Sequence, residues 1–307
     1  MPEAAELWPE LDWEAWKDTA ETLQMFTQIV GKTRLKLTPL RNHWWNVSLY
    51  VSAHGLTTSV MPLSNGNLLE IEFDFLADRL FFRSGAGQLE SMPLKPQTVA
   101  EFFTEYMKIL VKMGADVRIY TVPSEVANPI RFEDDTVHKS YDAAAVHRFW
   151  QALSHADRLF KLFSTNFYGK MSPVHFFWGS FDLAVTRFNG RPAPPRPGAD
   201  RIQAEAYSHE CISAGFWPGN GGYGKAAFYA YAAPGPDALA ESAIRGLGGF
   251  NQTLGEFLLD YDDVRRAPDP DRAVLEFLSE TYEAAATALK WDRAALERPV
   301  PASVTSG

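Results

Sequence analysis

The chain has 307 residues, which at about 150 residues per domain corresponds to two domains or one large, internally symmetric one. Apolar residues make up 46% and charged residues 22%, so a large core is available and wholesale disorder is excluded. With 29 Lys and Arg against 38 Asp and Glu, the net charge of -9 leaves no electrostatic footprint for nucleic acid and disfavours an anionic membrane surface.

In chain order, Asp12 caps a helix whose inward face carries Trp13, Trp16, Ala20, Leu23, Thr27 and Val30, at 3-4 spacing, ending at Gly31. Alternation then predicts a strand from Asn42 to Ala53, with His43, Trp45, Val47, Leu49 and Val51 inward. Further strands are expected at Leu56–Leu63, Leu68–Leu76 and Leu80–Arg83. Helical periodicity returns at Val99, where Thr98 and Glu101 form a T-x-x-E capping box and Gly114 closes the helix. Val117–Val122 reads as one more strand, and Pro123–Asp142 as the connection between halves.

The second half opens with a helix bearing Val146, Phe149, Trp150, Leu153, Phe160 and Phe163 on one broad face. Strands are expected at His175–Phe188, Ala206–Phe216, Ala226–Tyr231 and Glu256–Tyr261, with a proline-rich surface loop at residues 190–200. Asp269 and Pro270 start the last helix, and a loose tail follows over residues 298–307.

The halves share landmarks in order: Gly31-Lys32 and Gly169-Lys170, Pro39 and Pro173, then His43-Trp44-Trp45 and His175-Phe176-Phe177. The closing helices match as VAEFFTE from Val99 and VLEFLSE from Val274. The fold class is therefore α+β, with two pseudo-repeated halves, 1–135 and 136–297, forming one body. Each half has an antiparallel sheet flanked by an opening and a closing amphipathic helix. The stretches QIVGK, LTPLRNHWW, GLTTS, GKMSPVHFFWGSFDLAVTRFNGR, EAYSHE, SAGFWPG, GEFLLDYD and TYEAAA resemble the domain-of-unknown-function 5996 family, mainly bacterial proteins. The resemblance spans about Leu7 to Glu297 and implies one family-length unit, without an activity, cofactor or site residue to carry over.

Chemistry must then come from the residues. Gly219–Ala226 fits G-x-x-x-x-G-K, but Ala226 replaces the metal-binding hydroxyl and a strand pattern follows, so a glycine-rich turn is expected and nucleotide binding is not. Ser208 or Ser213 with a histidine and Asp182 lacks the G-x-S-x-G elbow of a hydrolase. His209 and Cys211 share a strand face, but with His175 they match no zinc signature, and no metal is assigned. The single cysteine suits a reducing cytoplasm. The absence of a basic region followed by an apolar stretch, and of any 18-residue apolar run, argues against export and against a membrane span.

The residues that remain are His43, Trp45, His175, Phe177, Trp178, Asp182 and His209. They point to a small-molecule ligand held in an aromatic, histidine-bearing pocket. Two other readings stand beside it: a noncatalytic interaction unit using the proline loop, and an enzyme using His43 and His175 as acid and base. The cofactor and the oligomeric state are left open. Parity predicts both histidines inward, as ordinary core residues bonded to backbone or as groups facing a cavity.

Overall fold

The backbone preferences of the chain start at Asp12, whose carboxylate accepts the Glu14 amide and caps helix α1, Trp13–Leu37. In the computed structural model, which describes residues 7–298, twelve strands form two six-stranded antiparallel sheets and seven helices flank them among those residues. The fold is α+β, and its two-sheet layout is consistent with two halves of similar build. The expected loose tail lies outside the described residues apart from Arg298.

The first sheet comprises β1 Tyr50–Val51, β2 Gly55–Thr57, β3 Met61–Pro62, β4 Leu68–Asp74, β5 Arg79–Ser84 and β6 Leu89–Pro93, in the order β1-β2-β4-β5-β6 with β3 also on β4. Ile71, Phe73, Leu80, Phe82 and Met92 alternate inward from it. They meet Phe102, Tyr106 and Leu110 of α2, Val99–Lys112, which begins with the expected Thr98–Glu101 capping box. Helix α3, Ala143–Ser164, follows the polar connection.

The second sheet has the order β11-β12-β10-β9-β8-β7. Its members are β7 His175–Phe177, β8 Asp182–Pro192, β9 His209–Trp217, β10 Ala227–Ala233, β11 Gly249–Asn251 and β12 Glu256–Asp260. Short helix α4, Arg201–Ala206, lies between β8 and β9. After β12 come α5 Tyr261–Arg266, α6 Pro270–Ala288, capped by Asp269 as expected, and α7 Arg293–Leu296.

Two compact units are present. One holds the chain up to His155 with His175–Leu183 and Trp217–Ala226; the other holds Ala156–Val174, Ala184–Phe216 and the chain from Ala227 on. Their bounds differ from those of the expected halves, because His175–Leu183 and Trp217–Ala226 belong to the first unit.

Four local expectations are corrected. Helix α1 passes through Gly31 and ends six residues later, because the glycine is needed for packing: a Cβ there would fall inside the Trp178 indole. Residues 42–49 are not a strand. Asn42–Trp44 is a single 3-10 turn with His43 and Trp44 at φ 57° and 59°, closed by Thr38 Oγ1 donating to the Asn46 carbonyl (3.0 Å) and the Arg41 amide donating to Asn46 Oδ1 (3.2 Å). The His175–Phe188 run is broken by a turn at residues 178–181, where Phe181 takes φ 61°. Val117–Val122 forms no strand; Gln28 and Lys32 of α1 instead hold this connection by its Ser124 and Val122 backbone groups.

Candidate functional site

The site of interest lies in the first unit, where β7 meets the start of β1. Leu49 and Phe176 exchange both backbone hydrogen bonds (2.9 and 2.8 Å) as an antiparallel bridge. That register makes Tyr50 and His175 cross-strand neighbours, with ring centroids 5.5 Å apart. Trp45, at 5.9 Å, and Phe177, at 5.5 Å, present their rings edgewise to the same imidazole. His175 is 1% exposed, whereas Trp45, Tyr50 and Phe177 are each half-buried. The buried imidazole is thus bordered by rings that are themselves partly exposed.

Among the described residues neither ring nitrogen of His175 has a hydrogen-bond partner. Burial, followed by the charges of Arg34 and Arg41, pushes the imidazole down to about 3, so it is neutral. A neutral imidazole offers one donor and one acceptor, and here both are unused.

Arg34, on α1, is the second unusual group. It is 7% exposed, and its guanidinium carbon lies 5.4 Å from the centre of the Tyr50 ring. Tyr50 is also its hydrogen-bond partner. Its Nε and Nη1 have no partner among the described residues, and no carboxylate acts on it; burial depresses its pKa. Arg34 and His175 are thus both neighbours of the Tyr50 ring. Exposed Arg41, at the mouth of the 38–46 loop, adds a second positive charge felt by the histidine.

The expected residues divide as follows. His43, Trp45, His175 and Phe177 form one contiguous ring cluster, with His43 5.4 Å from Trp45. His43 reaches it from a left-handed turn, so the expected equivalence of the two histidines as strand starts does not hold in the local backbone. Trp178 is a packing residue: its indole fills the notch at Gly31, and its Nε1–H donates to the Val47 carbonyl (2.8 Å). Asp182 accepts from the Ser180 hydroxyl and so secures the turn between β7 and β8. His209 is in the second unit, its Nδ1 3.1 Å from Ser208 Oγ. Among the described residues no three His, Cys, Asp or Glu side chains are grouped to hold a metal ion, and no helix is long and apolar enough to cross a membrane.

Sequence reasoning missed Arg34, Arg41 and Tyr50. The signal for Arg34 was present: one more step of the stripe running Leu23, Thr27, Val30 lands on residue 34, beyond the assumed stop at Gly31.

The family model for DUF5996, described as a family of unknown function, matches residues 8–298. The chain belongs to that family. Comparison with curated proteins and with solved structures found no match. For this DUF5996 member the chemistry therefore rests on the geometry above, together with two cavities in the second unit that His175 does not line. One, about 480 Å³, is walled by the proline-rich loop at Pro194–Pro197 with Tyr207, Tyr231, Pro234 and Leu254. The other, about 850 Å³, is a groove along α6 between Arg245, Arg272, Glu276 and Glu280. The glycine-rich stretch forms a turn leading into β10, with positive φ at Gly219, Gly221, Gly222 and Gly224 and no helix behind it. It lacks the helix N-terminus that would face a nucleotide phosphate.

Proposed function

We propose that the first unit binds a small, partly apolar molecule whose flat body lies among Trp45, Tyr50 and Phe177 and whose polar end meets His175. The observation that carries this is the buried imidazole with two unpartnered nitrogens among half-buried rings. Buried polar atoms are normally satisfied, and leaving one unpaired costs about 1–3 kcal/mol. A ligand that supplies one acceptor and one donor removes that cost. Consecutive left-handed residues at His43 and Trp44 add backbone strain of the kind found around binding sites, of order 1–3 kcal/mol each.

Binding is favoured over acid–base catalysis because an imidazole held near 3 is a poor proton acceptor at neutral pH. The interaction-unit reading rests on the proline-rich loop, which is exposed at Pro192, Pro194, Pro195 and Pro197 and also walls a cavity. A reducing compartment such as the cytoplasm suits the chain, since Cys211 is a buried free thiol whose pKa is pushed up to about 12 by burial.

The test is native mass spectrometry of untagged protein, with release and identification of any retained small molecule. Wild type should carry a mass that His175→Phe loses while keeping its circular dichroism spectrum. Equal retention by both proteins would place the molecule elsewhere.

A further inference from the structure

Arg34 says more about the ligand than His175 does. The chain has 38 carboxylates, and its surface arginines use them: Arg83 with Glu72, Arg158 with Asp271, Arg191 with Glu210 and Arg293 with Glu297. None is placed against the nearly buried guanidinium of Arg34, and none pairs with Arg41 among the described residues. A buried cation without a counter-charge bears a desolvation cost of several kcal/mol. Its guanidinium carbon and the ring centre of the neutral His175 imidazole both border the Tyr50 ring, 5.4 and 5.5 Å from its centre. Several donors, two positive charges and no acid form the donor set of an anion site with more than one acceptor oxygen.

We propose that the polar end of the ligand is an oxyanion, a carboxylate or a phosphate group, received by Arg34 and His175 with Arg41 as the outer positive charge. This rests on the small-molecule reading of the same site and narrows it. Arg34 supplies the charge and donor N–H groups, His175 donates one ring N–H, and the rings of Trp45 and Phe177 cover the uncharged remainder. His175 is 1% exposed and its ring neighbours are half-buried, so entry requires side chains to turn aside.

The experiment uses the full chain with its histidines labelled, following the imidazole NMR signals of His175 and the thermal midpoint at constant ionic strength in chloride. Three probes are titrated: inorganic phosphate, benzoate and neutral benzyl alcohol. Saturable displacement of the His175 signals by phosphate alone identifies a phosphate site; displacement by benzoate identifies a carboxylate site. Either should be weakened at least tenfold by Arg41→Glu, an exposed position where folding is not at risk, and lost in Arg34→Met. Benzyl alcohol acting while both anions fail would overturn the oxyanion and leave the small-molecule reading standing. No displacement by any probe, or anion responses indifferent to Arg41→Glu, also overturns the proposal. Retention of a molecule in the mass measurement then decides the broader reading on its own.

Discussion

Two buried arginines, one in each unit, have opposite surroundings. Arg187, on β8, is 3% exposed. Its guanidinium lies 3.5 Å from the Phe163 ring centre, 4.3 Å from Tyr282 and 4.9 Å from Phe167, and it donates to the Phe163 carbonyl. Burial lowers it to about 10, while Tyr282 and Glu297 support its charge. Stacked faces and a nearby carboxylate absorb that cation into the structure. Arg34 is almost as buried, touches one ring and has no acid. Arg187 also leaves its Nε without a hydrogen-bond partner among the described residues, so neither burial nor one orphan nitrogen is the diagnostic feature; what separates the two is the carboxylate and the stacked rings.

The contrast can be sharpened first through pH. The folded His175 pKa lies near 3 against 6.5 for the free group, so between those values the unfolded chain holds one more proton. Stability must then fall as pH drops from 6.5 and level off near 3, by ~1.4 kcal/mol per unit and roughly 5 kcal/mol in all. Urea unfolding of wild type and His175→Phe across that range should show the difference between them shrinking or reversing by this amount. A constant difference would mean that the imidazole is not held neutral.

Next, Arg187→Met should destabilise by about 3 kcal/mol, since it leaves the Phe163 carbonyl unpaired and hollows an aromatic cage. Gly31→Ala should cost roughly 2 kcal/mol by overpacking Trp178, and with the indole displaced the Val47 contact loosens beside the site. The smallest effect is expected of Arg34→Met, within about 1 kcal/mol of wild type and in the stabilising direction if anything, because an uncompensated buried charge is exchanged for apolar volume. Thermal and urea midpoints measured side by side check all three. Equal losses for Arg34→Met and Arg187→Met would erase the distinction between the two regions.

Much of the scaffold was legible. Asp12, the Thr98–Glu101 box and Asp269-Pro270 each marked a helix start through backbone donors that only such side chains satisfy. Strand parity correctly put His175 inward beside Phe177. What escaped was decided by distant partners. Gly31 looked like a stop until Trp178, far along the chain, was seen to occupy its notch. The alternation of His43 and Trp45 had the period of a strand, but Thr38 and Asn46 lock that segment into a turn through hydrogen bonds that leave no trace in hydrophobic patterning. Arg34 lies beyond the expected helix stop at Gly31, outside the stripe assigned to that helix. Only the absence of a carboxylate at its side chain, a three-dimensional fact, distinguishes it.

The clasp between Leu49 and Phe176 has a kinetic consequence. Only two backbone hydrogen bonds join those residues, and the adjacent positions carry Tyr50 and His175. Both bonded amide protons can trade with deuterium only when this short seam parts, and parting it uncovers the imidazole. Their exchange rates at neutral pH thus report how often this seam opens, and an occupant bridging Tyr50 and His175 would slow both together while the amides of the β4–β5 ladder keep their pace.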